Sequence, residues 1–71
     1  MNYSEFVDGA LVKVERGVGN LTAHEVVAVT GLKARALSER AKRGTFPQPV
    51  YLSPTFRVWK AHDVAAWLDA Q

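Results

Sequence analysis

The spacing of apolar and polar residues predicts a pair of helices in the middle of the chain. Thr22 precedes Glu25 by three residues, a spacing typical of a capping box at a helix start, so a first helix is expected over about residues 23–29. Gly31 stands where a left-handed residue would end that helix. Residues 33–43 are mostly strong helix formers and predict a second helix. Two helices joined by a tight glycine turn make a helix-turn-helix.

Beyond the second helix, the pattern predicts a hairpin and a closing helix. A residue before proline is disfavoured in the helical region, so residues 45–49, Thr-Phe-Pro-Gln-Pro, are expected to be extended. Two β-prone runs, residues 50–52 and 56–59, lie on either side of a turn-forming sequence. A last helix is expected from about Ala61, because apolar residues recur at helical spacing from Val64 onward. The predicted fold is mostly α with one small β-hairpin, or wing.

The first 20 residues are the hardest to interpret. They contain three glycines, and residues 11–15 alternate in a way that suits a strand better than a helix. We therefore expect residues 1–20 to be an N-terminal extension that is strand-like or partly disordered, and residues 21–71 to form the domain. The alternative is an arm used for dimerisation or for DNA contact.

Composition excludes several classes of function. The absence of cysteine removes disulfides, thiolate zinc sites and cysteine nucleophiles, and two histidines without a third ligand do not indicate a metal site. No glycine-rich phosphate loop or pair of catalytic carboxylates is found, so neither an enzyme nor a cofactor is expected. The longest apolar run is far short of a membrane span, and a domain this small is not expected to enclose a small-molecule ligand. Trp59 and Trp67 are expected in the core, the alternative being platforms for single-stranded nucleic acid.

Charge is strongly segregated along the chain. Residues 31–60 hold seven of the nine basic residues and one acid, Glu39, whereas the flanking segments are net acidic. A local positive potential of this kind attracts polyanions. The alternative is that the basic run is only a solvated helix face without a ligand.

The middle and end of the chain resemble a known family. The stretches LTAHEVVAVTGL, KRGTFPQPVYL and VWKAHDVAAWL, in that order, are similar to those of winged helix-turn-helix regulators of the AlpA and excisionase type, which are relatives of the DNA-binding part of MerR regulators. The resemblance covers Leu21–Ala70. It implies a small bacterial, cytoplasmic, nucleoid-associated protein of a phage or integrative element. Such a protein binds double-stranded DNA and acts as an excisionase that bends attachment-site DNA, as a transcriptional regulator, or as both.

Three sets of residues are candidates for DNA contact. The base-reading candidates near the start of the second helix are Lys33, Arg35, Ser38 and Glu39. The phosphate-contacting candidates are Lys42, Arg43 and Lys60. The wing candidates are Tyr51, Thr55 and Arg57. Glu39 either accepts a hydrogen bond from a cytosine or orients Arg35 as its i, i+4 partner.

The partners expected from this interpretation are double-stranded DNA, a second copy of the chain on an adjacent site, and an integrase. A chain this small exposes little surface for tight binding to one site, so several sites filled cooperatively are expected. Two alternatives remain open: a MerR-like transcriptional regulator with no role in recombination, and a basic module that binds an acidic protein.

Overall fold

The computed structural model of the chain describes residues 2–71, which contain four helices and a three-stranded antiparallel sheet. The mostly helical winged helix-turn-helix fold predicted from the sequence is confirmed. The elements are α1 (Tyr3–Arg16), β1 (Asn20–Thr22), α2 (Ala23–Thr30), α3 (Ala34–Arg43), β2 (Val50–Ser53), β3 (Phe56–Lys60) and α4 (Ala61–Asp69). Among residues 2–71, no helix combines the length and the apolar content that a membrane span requires.

The N-terminal segment forms a helix, so the prediction of a strand-like or partly disordered stretch is wrong for residues 3–16; Met1 lies outside the described residues. The Asn2 side chain accepts a hydrogen bond from the backbone N–H of Glu5 at 2.9 Å, and Gly17 closes the helix in the left-handed region with φ of 64°. Ala10 is fully buried and Val14 packs against the core. Residues 11–15, whose alternation favoured a strand, therefore lie within a helix.

A short strand follows α1 and completes the sheet. β1 pairs antiparallel with β3, with Leu21 opposite Trp59, and the strand order is β1-β3-β2. The backbone N–H of Ala61 also donates to the carbonyl of Gly19 at 2.9 Å. The sequence pattern did not predict β1. Its pairing makes the N-terminal segment part of the same sheet as the wing.

The helix-turn-helix is formed by α2 and α3, as predicted. The Thr22 side chain accepts from the backbone N–H of Glu25 at 3.3 Å, and the Glu25 carboxylate accepts from the backbone N–H of Thr22 at 3.0 Å, which completes the capping box. Gly31 ends α2 with φ of 76°, a left-handed conformation that favours glycine. The Thr30 hydroxyl donates to the carbonyl of Val26 at 2.7 Å and accepts from the backbone N–H of Leu32 at 3.2 Å, which connects the turn to the end of α2.

The wing is the hairpin of β2 and β3. The two strands pair antiparallel with an irregularity between Tyr51 and Ser53, and the Ser53 hydroxyl accepts from the backbone N–H of Phe56 at 3.1 Å. Every residue of β2 is exposed, whereas Val58 and Trp59 of β3 are buried. The hairpin is therefore anchored through β3 alone.

Aromatic side chains connect the wing, the loop before it and α4. Trp59 is fully buried, Phe46 is 3% exposed, and Trp67 is partly buried against the same core. Phe46 makes edge-to-face contacts with both tryptophans, at centroid distances of 6.5 Å to Trp59 and 4.9 Å to Trp67. The core role predicted for the tryptophans is confirmed.

We expect the Glu25→Gln variant to lose the part of the free energy of unfolding that depends on the ionised Glu25 carboxylate. Burial by itself raises the pKa of Glu25, but hydrogen bonds from the Thr22 backbone and the Lys13 ammonium, with the charge of Lys13, outweigh it, so the pKa lies below its usual value. A carboxyl with a depressed folded-state pKa stabilises the fold above its unfolded pKa of about 4.3, and that stability is lost as the pH falls through the folded value. Glutamine can keep the capping hydrogen bond without the charge. Urea unfolding should show a loss of about 1 kcal/mol at pH 7.

The same comparison at a pH below the folded-state pKa of Glu25 should show a much smaller difference between the two proteins, because the native carboxyl is then protonated. A difference of equal size at both pH values would contradict this origin of the stability.

Candidate nucleic-acid interface

Helix α3 presents a cationic face to solvent. Lys33, Arg35, Glu39, Lys42 and Arg43 are exposed. The opposite side of the helix buries Leu37 completely, with Ala41 at 8% exposure. The cations in the last turn also interact favourably with the helix dipole, so part of this charge stabilises α3 itself. The amphipathic arrangement leaves the polar face of α3 available to a ligand.

Glu39 forms ion pairs with two of the arginines on this face. Its Oε1 lies 3.3 Å from Arg35 Nε, and its Oε2 lies 3.8 Å from Arg43 Nη2. The i, i+4 pairing of Arg35 with Glu39 is thus present, and the Arg35 side chain remains 90% exposed. Glu39 orients Arg35 in the free protein, and a role for Glu39 in base recognition stays a prediction.

Arg57 of the wing is held by two contacts. Its Nη1 donates a hydrogen bond to Ser38 Oγ at 2.9 Å, and its Cζ lies 4.9 Å from the centroid of the Trp59 ring. Ser38 is therefore half-buried and bound to the wing, although the sequence placed it among the base-reading candidates. Sequence reasoning missed this link between α3 and the wing. The period of two in β3 does place Arg57 and Trp59 on one face, but nothing local indicates Ser38 as the partner.

A cleft lies between α3 and the wing. It encloses about 330 Å³, and its lining residues are Ser38, Ala41, Lys42, Gln48, Pro49, Tyr51 and Arg57. Tyr51 stands opposite Arg57 in the strand register, so both side chains project from one face of the hairpin. The structure thus brings together four of the sequence candidates: Ser38, Lys42, Tyr51 and Arg57.

Two other candidates lie apart from this cleft. Thr55 is exposed in the turn at the tip of the wing, and Lys60 is exposed at the far end of β3, where it pairs with Asn20 and precedes α4. Because a strand rises about 3.3 Å per residue, the Lys60 backbone lies roughly 10 Å from that of Arg57. Lys60 could contact DNA only on a part of the surface separate from the cleft.

The loop between α3 and the wing is fixed by side chains that sequence reasoning did not single out. Gln48 Nε2 donates to the carbonyl of Ala41 at 2.6 Å, and Trp59 Nε1 donates to the carbonyl of Pro47 at 3.0 Å. These bonds set the position of the wing relative to α3. Within residues 2–71, no group of three or more His, Asp or Glu side chains is arranged to hold a metal ion.

Comparison with known proteins gives one family. Residues 19–71, well over half of the chain, match the sequence model of the family described as "Prophage CP4-57 regulatory protein (AlpA)". No curated protein and no solved structure matches the chain. The family match confirms the resemblance seen in the sequence.

We expect the Glu39→Gln variant to be almost as stable as the wild type. The Glu39 carboxylate is 52% exposed, and exposed i, i+4 pairs contribute roughly 0.3–0.5 kcal/mol each. Urea unfolding should show a loss below about 1 kcal/mol that disappears in high salt, because salt screens exposed charges. A loss well above this value, or one that salt does not change, would contradict an orienting role confined to the surface.

Proposed function

This chain belongs to the AlpA family of prophage regulatory proteins, and we propose that it binds specific sequences in double-stranded DNA of a phage or integrative element. The observation that carries the proposal is the exposed cationic face of α3 beside a wing that is fixed to the same helix. Recognition helices of helix-turn-helix proteins lie in the major groove with the N-terminal residues at base edges. The arrangement suits that mode of docking.

Base recognition is assigned to the start of α3. Arg35 is 90% exposed, and its guanidinium can donate to O6 and N7 of a guanine, a contact worth roughly 1–3 kcal/mol of discrimination. Lys33, the N-cap residue of α3, is exposed at the same end of the helix. These two cations are our candidates for sequence reading, with Glu39 holding the Arg35 side chain in place until DNA binds.

Affinity is assigned to the other end of the helix and to the wing. Lys42 and Arg43 are exposed in the last turn of α3, and each phosphate that such a cation neutralises releases counterions. Thr55 at the wing tip and Lys60 at the end of β3 extend this surface to the flanking backbone. Together, α3 and the wing would contact two successive parts of the DNA surface.

The biological role follows from where the binding sites lie. We infer that the protein acts in the bacterial cytoplasm on nucleoid DNA, as an excisionase that bends attachment-site DNA for an integrase, as a transcriptional regulator, or as both. Copies on adjacent sites would provide the contact surface that one small domain lacks. Footprinting on DNA that flanks an integrase gene distinguishes the two roles, since sites would lie in the attachment region for excision and in a promoter for regulation.

Binding to duplex DNA should weaken steeply with salt. With roughly five phosphates neutralised, the logarithm of the association constant should fall linearly with the logarithm of salt concentration, with a slope near −4.5. Fluorescence anisotropy with a labelled duplex over a series of salt concentrations measures this slope. Absence of duplex binding at low salt would reject the proposal and favour a basic module that binds an acidic protein.

Substitutions should separate sequence reading from backbone contact. Arg35→Ala should erase the preference for the cognate duplex over a scrambled one, with a loss of roughly 10-fold or more on the cognate only. Lys42→Ala should weaken binding to both duplexes alike and reduce the salt slope by about 1. Anisotropy on the two duplexes provides the comparison. Equal losses for both variants on every duplex would show that this division of roles is wrong.

A further inference from the structure

We propose that the cleft between α3 and the wing binds a single backbone phosphate through Lys42 and Arg57, with Ser38 positioning the Arg57 guanidinium. The inference rests on the proposed function and adds a defined subsite to it. The ligand chemistry is a phosphodiester anion, and the site is formed jointly by the recognition helix and the wing.

The charge of the cleft favours an anion. Its lining residues include two cations, Lys42 and Arg57, and no carboxylate. Neither cation forms an ion pair with any side chain of residues 2–71, whereas Arg35 and Arg43 both contact Glu39. Two unpaired positive charges at the wall of one cleft give a positive potential that only an external anion would neutralise.

Other clefts of the molecule have a different character. One beside the start of the loop after α3 contains Asp63 and no cation. One between α1 and α4 contains Glu15 and Asp69 with a single cation, Arg16. Carboxylates at those positions repel a phosphate. The cleft between α3 and the wing is thus distinguished by its chemistry and not merely by its shape.

The guanidinium of Arg57 is preorganised for this task. Its hydrogen bond to Ser38 and its position over the Trp59 ring fix the side chain before any ligand arrives. A guanidinium has five N–H donors in a planar fork, and the contact with Ser38 uses Nη1, so donors remain for phosphate oxygens. An immobilised arginine loses less conformational entropy on binding than a mobile one. Ser38 is accordingly a positioning residue.

The neutral wall of the cleft is also suited to a phosphate. Tyr51 is 60% exposed and shares its face of the hairpin with Arg57, so its hydroxyl is available as a further donor. Gln48, bound to the carbonyl of Ala41, fixes the loop side of the cleft. A phosphate seated between two elements would set the register of α3 on DNA, because the wing and the helix would hold the same group.

The test uses duplexes in which one phosphate at a time is replaced by a neutral methylphosphonate. The parent duplex is the tightest binder selected from a random-sequence library, and affinity is measured by anisotropy. For the wild type, one position per site should stand out, with a loss of about 10-fold. In Lys42→Ala and Arg57→Ala, the same replacement should cost only about 3-fold, because one of the two cations that bind this phosphate is already missing.

The matched control is Arg43→Ala, which removes a cation from the same helix outside the cleft. It should bind more weakly overall and still show the full loss at the same methylphosphonate position. Ser38→Ala should show a partial loss, since Arg57 keeps its charge but not its anchor. Arg57→Ala also removes a contact with Trp59, so thermal unfolding of each variant is measured beside binding. Lys42 is exposed, and Lys42→Ala therefore tests the site without disturbing the fold.

Two results would overturn the phosphate site while leaving DNA binding intact. The wild type could lose the same affinity whichever phosphate is replaced, or the loss at the sensitive phosphate could stay at its full size in both Lys42→Ala and Arg57→Ala. A separate titration with inorganic phosphate, followed by NMR of the arginine and backbone N–H groups, does not need duplex binding. Shifts confined to the cleft support the site even if the proposed function fails. Equal shifts at every cation overturn it.

Discussion

The arrangement of the whole interface depends on the burial of Trp59. Its side chain is completely enclosed, its backbone pairs with Leu21 of β1, and its indole N–H donates to the carbonyl of Pro47. Phe46 contacts one part of the ring, and Arg57 lies over it. One residue therefore joins the N-terminal strand through its backbone, and the loop after α3 through its side chain, to the wing. Removal of a buried tryptophan costs about 3–5 kcal/mol, which is comparable to the entire stability expected for a domain of this size.

The loop before the wing shows how such a small chain maintains a defined geometry. Prolines in this loop have no N–H to donate, so regular backbone hydrogen bonding cannot fix it. Side chains do so instead: Gln48 donates to the carbonyl of Ala41, and Trp67 donates to the carbonyl of Thr45 at 2.9 Å, in addition to the bond from Trp59. These hydrogen bonds connect the loop to α3 and to α4. The wing is consequently held beside α3 through the loop and β3, although every residue of β2 is exposed.

Local signals made the helix-turn-helix and the hairpin predictable, whereas non-local contacts determined what was missed. The capping box of Thr22 and Glu25 and the glycine that ends α2 act within one turn of the chain, so the sequence displays them directly. The β1 strand, in contrast, exists because residues 20–22 pair with residues 58–60. In α1, β-branched residues at alternating positions gave the period of a strand. The helix packs against α2 and α4 and buries Ala10, and the local sequence pattern does not display these contacts.

The same distinction applies to the candidate site. The sequence identified the basic residues, but a count of cations does not show which charges are already compensated. Glu39 contacts Arg35 and Arg43 at the surface of α3, while Lys42 and Arg57 have no acidic partner within residues 2–71. Lys42 and Arg57 thus place uncompensated positive charge where α3 meets the wing, while Lys33 and Arg40 also lack an ion pair within residues 2–71. At that junction Arg57 is held by Ser38 and lies over the Trp59 ring, whereas the Arg35 side chain remains 90% exposed. The fold therefore restricts the two arginines to different extents.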